Sequence, residues 1–136
     1  MVRALPPNEV GDWRIEVGLW QASSVGIGNI GSVQVTNLNP DIKIYGVQAS
    51  GAPSMVNSVH DNKIERLESV STIADGIAVK EPGQHTFEYC RDYVDEMVTV
   101  TDDEISAAIL ALIERQKLIA EGAGAASVAA VMFGKI

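Results

Sequence analysis

A chain of 136 residues, 46% apolar and 21% charged, holds enough material for one buried core and too much apolar content for wholesale disorder. Its net charge of -8, from 18 acidic against 10 basic residues, argues against nucleic acid or an anionic membrane surface as a partner, because both demand a basic footprint. One cysteine, Cys90, excludes an internal disulfide framework and a Cys-rich zinc site and is compatible with a reducing cytoplasm.

Met1-Val2-Arg3 leads to Pro6-Pro7 and polar residues, so no secretory leader is expected. No apolar run approaches the length of a membrane span. Residues 1–38 hold both tryptophans, Trp13 and Trp20, and show no helical period. Val33-Gln34-Val35-Thr36 reads as a short strand by alternation and β-branching. Beyond the turn signal Asn39-Pro40-Asp41 the pattern sharpens. Ile42 to Val47 reads as a strand. Pro53 suits the first turn of a helix to about His60, with Met55, Val56 and Val59 on one face. Residues 64–84 look mostly irregular, centred on the apolar run Ile73–Val79. A helix is predicted from about Thr86 to Tyr93, with Phe87, Cys90, Tyr93 and Val94 sharing a face. Glu96–Val100 reads as a strand.

Thr101-Asp102-Asp103-Glu104 is a capping box: the threonine hydroxyl accepts the Glu104 amide, and the glutamate reaches back to the cap amide. Ile105, Ala108, Ile109, Leu112 and Ile113 then follow helical spacing to about Lys117. Gly122 and Gly124 read as a break before a helix of small residues that ends at Gly134. Strands alternating with helices define an α/β class with a mainly parallel sheet. The Ala126–Phe133 helix carries core-type residues that need a covering layer.

Gly26, Gly28 and Gly31 match the dinucleotide spacing G-x-G-x-x-G. That chemistry needs a helix at the third glycine and an acidic residue about 20 positions on. Strand-like residues follow instead, and Asp41 comes too early, so a turn or loop is the favoured reading. His60 and His85 lack metal-ligand spacing and read as exposed helix-end histidines. Cys90 on an apolar face reads as a buried structural thiol. The carboxylates of Asp92, Asp95 and Glu96, and of Asp102, Asp103 and Glu104, read as solvated faces or helix N-termini. Asp75-Gly76 admits two readings: a glycine that lets backbone approach a ligand, or a plain turn. Glu121 likewise is either a charge favoured by a helix dipole or a group held against a ligand.

Four separated blocks carry a family resemblance. They are Ile44–Ser54, Ser71–Val79 with its Ala74-Asp75-Gly76 centre, Val94–Ile105, and Glu121-Gly122-Ala123-Gly124-Ala125. In order and spacing they resemble the later part of bacterial threonine dehydratases (threonine ammonia-lyases), pyridoxal-phosphate enzymes of the tryptophan-synthase-β fold type. The resemblance covers residues 39–136. It implies a fold that is part of a mainly parallel three-layer sheet domain of fold type II, incomplete here, preceded by an atypical segment over residues 1–38. It implies pyridoxal 5'-phosphate as cofactor and deamination of L-threonine to 2-oxobutanoate and ammonia, with serine as a second substrate. It also implies a cytoplasmic, homo-oligomeric complete enzyme that engages neither nucleic acid nor membrane.

Residue by residue, Gly76 matches the family glycine beside the cofactor ring, and Glu121 the family glutamate near ring and substrate. No catalytic residue carries over: Lys43, Lys63, Lys80, Lys117 and Lys135 all lack the Ser-Phe-Lys context of the family's Schiff-base lysine. The glycine-rich phosphate loop has no close counterpart near residues 20–32, and the Ser-Gly-Gly-Asn motif is missing. Gln48 and Ser54 stand where related serine-acting enzymes place metal-binding carboxylates, so no metal is expected. The chain therefore reads as an internal fragment, inactive in isolation for want of the lysine. The alternative is a non-catalytic α/β module that binds a partner chain.

Overall fold

The computed structural model describes residues 2–4, 15–17 and 43–136. The Val33–Thr36 strand, the Gly26–Gly31 loop, both tryptophans and Ile42 lie outside the described residues. Among the described residues, four strands form one sheet in the order β2-β1-β3-β4, with β1 Val2–Ala4, β2 Ile15–Val17, β3 Lys43–Ala49 and β4 Glu96–Val100. The helices are α1 Ser54–His60, α2 Gln84–Tyr93, α3 Asp102–Ala111 and α4 Gly122–Met132.

The expected parallel pairing holds for β3 and β4, in register from Tyr45 opposite Glu96 to Ala49 opposite Val100. It does not hold for the short N-terminal strands: β1 runs antiparallel to both β2 and β3, so the described sheet is mixed. Between β1 and β2 lie only residues 5–14, too few for the crossover that a parallel pair needs. The β3-to-β4 connection is long enough to carry α1 and α2, and parallel pairing follows.

Neighbouring residues of β4 serve opposite faces, as the strand period requires. Met97 joins the cluster of Met55, Phe87 and Cys90 between α1 and α2. Val98 and Val100 join the larger cluster under α3 and α4, with Ala49, Ile105, Ala108 and the alanines of α4. Helices therefore cover both faces of the β3–β4 pair, which is the three-layer arrangement. Gly46 lies opposite Met97 in register, and a Cβ there would overlap the Met97 sulfur, so the glycine leaves the room that the methionine fills.

The edge between β3 and β4 is closed by Asp95. Its carboxylate accepts from Lys43 Nζ at 2.7 Å and from the Ile44 amide at 2.8 Å. Partial burial works against its charge, but these two donors outweigh it and hold the carboxyl below the usual carboxylate range. Because the folded state prefers the charged form, the stability it lends is complete above the ordinary carboxylate range. That stability is lost as pH falls through the lowered value. Asp95→Asn is therefore expected to flatten the loss of stability between neutrality and about pH 3, measured by urea unfolding at each pH. Equal acid sensitivity in the variant would remove Asp95 from the account.

Helix boundaries largely follow local signals. The α3 capping box is complete: the Glu104 amide donates to Thr101 Oγ1 at 3.2 Å, and the Thr101 amide to Glu104 Oε2 at 2.8 Å. Lys135 holds the same glutamate from the far end of α4, at 3.1 Å. The predicted run to Lys117 is α-helical only to Ala111. Leu112–Gln116 winds more loosely as a π turn, and Lys117 closes it with φ 59°. Leu112 is half-buried against the core, but Ile113–Gln116 are exposed, so little packing holds the turn to the tighter winding.

Gly122 and Gly124 do not break the chain. They lie inside the first turn of α4, where Gly122 lets the helix approach a neighbouring loop: a Cβ on it would come within 2.9 Å of Ala74 Cα and 3.0 Å of Ile73 O. Nor does α4 present a bare core face. Ala126, Ala129 and Ala130 are buried under it, and only Val131, Met132 and Phe133 at its end are exposed. The helix ends at Met132, short of Gly134, which takes φ 63° in the turn beyond it.

Candidate functional site

Strands β3 and β4 end side by side at Ala49 and Val100, both fully buried. Open α/β sheets bind ligands outside such carboxyl ends. Across them runs the irregular segment 71–78, anchored by three neighbours. The Ser71 amide donates to Gly51 O at 3.0 Å. The Ile73 amide donates to Asp102 Oδ2 at 3.2 Å. Gly122 of α4 touches Ala74 as described. The segment then winds into one 3-10 turn, Asp75–Ile77, in which Ile77 is buried and the Asp75 carboxylate accepts the Gly76 amide at 2.9 Å.

This turn brings Gly76 and Glu121 together. A Cβ built on Gly76 would lie 3.0 Å from Ala123 Cβ and 3.6 Å from Glu121 Oε1. Glycine is needed here for close approach to α4, not for a special dihedral angle. Glu121 is the N-cap residue of α4 but caps nothing with its side chain, and its carboxylate stays exposed beside the turn. Of its two readings, a charge at a helix N-terminus describes its position, while a carboxylate engaged by none of the described residues suits a group that meets a ligand.

Other candidates scatter. His60, at the end of α1, bonds Asp61 at 2.7 Å, and His85, near the start of α2, faces Glu88 at 3.5 Å; both rings are exposed. Asp92 is held by Arg91 at 2.7 Å, and Asp95 by Lys43. Cys90 is buried, and desolvation pushes its thiol up to about 12. It is therefore expected to resist a thiol-specific disulfide reagent in the folded chain and to react at once in denaturant. Rapid reaction under native conditions would show that the α1–α2 layer opens.

Gln48 and Ser54 have structural tasks. Gln48 Oε1 accepts the Met55 and Val56 amides, each at 2.9 Å, and Ser54 Oγ donates to Val79 O at 2.7 Å. Two participants escaped the sequence: Thr72 and Asp102, whose side chains bond each other. Asp102 reads from sequence as one of three acids on a helix N-terminus, and no local pattern reports a partner thirty residues earlier.

Helices on both faces of a parallel strand pair, with a backbone turn set beside an exposed carboxylate at the strand ends, make a layered α/β domain. The chain belongs to the pyridoxal-phosphate dependent enzyme family, whose model matches residues 22–136. It is 52% identical over 101 residues to the L-threonine ammonia-lyase of Thermotoga maritima, covering 74% of this chain and 25% of that protein. To the catabolic L-threonine dehydratase TdcB of Escherichia coli K12 it is 40% identical over 105 residues, covering 77% and 32%. Among solved structures, the processed form of threonine deaminase isoform 2 from Solanum lycopersicum superposes with a TM-score of 0.72 at 38% identity, over 77% of this chain and 30% of that one. Maize serine racemase gives 0.74 at 31%, over 78% and 32%. The chain thus spans about a quarter to a third of the length of the curated relatives it matches.

The residues present fit one side of the family's cofactor. The Gly76 turn offers backbone without a side chain, and the Glu121 carboxylate stands beside it, a surface suited to a flat polar ring.

Proposed function

We propose that this chain forms the back wall of the cofactor site in an enzyme that deaminates L-threonine to 2-oxobutanoate and ammonia, with serine as a second substrate. The observation that carries the reading is the meeting of Gly76 and Glu121, distant in sequence, at the ends of β3 and β4. Deamination is favoured over racemisation because the curated relatives at 40% and 52% identity are named for threonine, while serine racemase resembles the chain at 31%.

Bound pyridoxal 5'-phosphate supplies the electron sink for the pair left when the substrate's α-proton departs. The Gly76 turn, packed closely on α4, would present backbone to the ring, and the Glu121 carboxylate beside it would orient the ring and hold a proton there. Residues 39–136 then form a fragment of the catalytic domain, preceded by a segment read as atypical although the family match begins within it, at residue 22. A cytoplasmic setting and a homo-oligomeric complete enzyme belong to the same reading. Among the described residues, no helix is long and apolar enough to cross a membrane.

The isolated chain lacks a lysine in the family's Schiff-base context and is expected to be inactive. Incubated with pyridoxal 5'-phosphate and L-threonine, it should form 2-oxobutanoate no faster than the cofactor does alone. Turnover above that level, or borohydride fixation of the cofactor on one of Lys43, Lys63, Lys80, Lys117 or Lys135, would overturn the fragment reading.

A second reading, a module that binds a partner chain, is favoured by the exposure of Leu110, Leu118, Ile119, Met132 and Phe133. Clean monomeric elution in size-exclusion chromatography, with no affinity for the rest of the enzyme, would count against it.

A further inference from the structure

The Gly76 turn is one winding of 3-10 helix reached through irregular chain, and such a segment does not hold its own position. Asp102 is placed to hold it. One carboxylate oxygen accepts the Thr72 hydroxyl and the other the Ile73 amide, at 3.2 Å. The Thr72 oxygen in turn accepts the Ala74 amide at 3.1 Å. Ala74, fully buried between this arrangement and Gly122, supplies the carbonyl that starts the turn, accepting the Ile77 amide at 3.0 Å. The chain of contacts therefore runs from Asp102 through Thr72 and Ala74 to the turn that carries Gly76.

Asp102 is free for this task because α3 does not need it as a cap. The Thr101–Glu104 box already satisfies that terminus. As the first residue of α3, Asp102 sits where the helix dipole favours its charge, and charged acceptors make the stronger hydrogen bonds.

We propose that Asp102 is a positioning residue of the site. Through Thr72 it fixes the segment 72–74 and so sets the Gly76 turn against Glu121. The proposal rests on reading Gly76 and Glu121 as the cofactor wall.

The test uses the whole 136-residue chain and amide exchange followed residue by residue. Asp102→Ala and Thr72→Val are expected to speed exchange at Ala74 and Ile77 by about 10- to 100-fold, the range for loss of a charge-assisted hydrogen bond. Ile105, whose amide bonds Thr101 O at 2.9 Å inside the independently capped helix, should exchange at an unchanged rate. Thr72→Ser, which keeps the hydroxyl, should restore the slow rates.

Unchanged exchange at Ala74 and Ile77, or a matching rise at Ile105, overturns the proposal. The milder Thr72→Val and Thr72→Ser pair decides it if Asp102→Ala does not fold.

Equilibrium dialysis against pyridoxal 5'-phosphate separates this inference from the reading beneath it. Retention weakened by both Asp102→Ala and Glu121→Gln supports both. Faster local exchange in a chain that retains no cofactor supports the positioning of the turn and counts against the cofactor wall.

Discussion

Gly51→Ala is expected to cost roughly 3 kcal/mol or more, a large part of the stability of a domain this size. Gly51 follows the end of β3, and the backbone of the segment 71–78 passes directly over it. A Cβ at this position would overlap the Ser71 carbonyl oxygen and lie 2.9 Å from the Ser71 carbonyl carbon. The obstructing atoms are backbone, so no rotamer change relieves them. The Ser71 amide is also bonded to Gly51 O, so pushing the two chains apart breaks that bond as well. With urea slopes of about 1–3 kcal/mol per molar, the unfolding midpoint should fall by more than about 1 M. The displacement starts at the root of the segment that carries Gly76, so any cofactor retention should vanish with it. A variant with the native midpoint would show that the segment does not cross Gly51 as described.

The contrast between Gly51 and the α3 cap shows which parts of the molecule were legible in the sequence. The capping box, the β4 strand and the amphipathic face led by Ile105 depend on neighbours within a turn or two, and sequence spacing records those neighbours directly. Likewise the buried Phe87 and Cys90 of α2 lie at helical spacing.

The looser π turn is not legible because Leu112 and Ile113 continue the apolar period, although only Leu112 packs against the core and Ile113 is exposed. Gly122 reads as a break in the sequence because a helix N-terminus and a turn use the same residue. Only the approach of Ala74 tells them apart. At the site, Gly76 and Glu121 came from family resemblance, not from local pattern, each having an equally good bland reading. Asp102 and Thr72 stayed hidden because a hydrogen bond between distant loops leaves no periodic trace.

Gln48 shows the same blindness in the core. Helix α1 begins after Pro53, which adopts φ -86° and ψ 34° and has no side chain able to cap. The Met55 and Val56 amides would then be left without acceptors at the start of a buried helix. Gln48, reaching across from β3, accepts both through a single Oε1, each at 2.9 Å, and is itself buried. Gln48→Leu keeps the approximate volume and removes the acceptor, leaving two desolvated donors. At about 1–3 kcal/mol for an unsatisfied buried group, the expected loss is roughly 2–4 kcal/mol. Gln48→Glu keeps an acceptor for both amides, and its charge sits where the α1 terminus favours it, so at neutral pH it should be much less damaging than Gln48→Leu. Urea unfolding of the three chains at pH 7 checks the order. If Gln48→Leu unfolds at the native midpoint, the amides of α1 have another acceptor and Gln48 does not cap the helix.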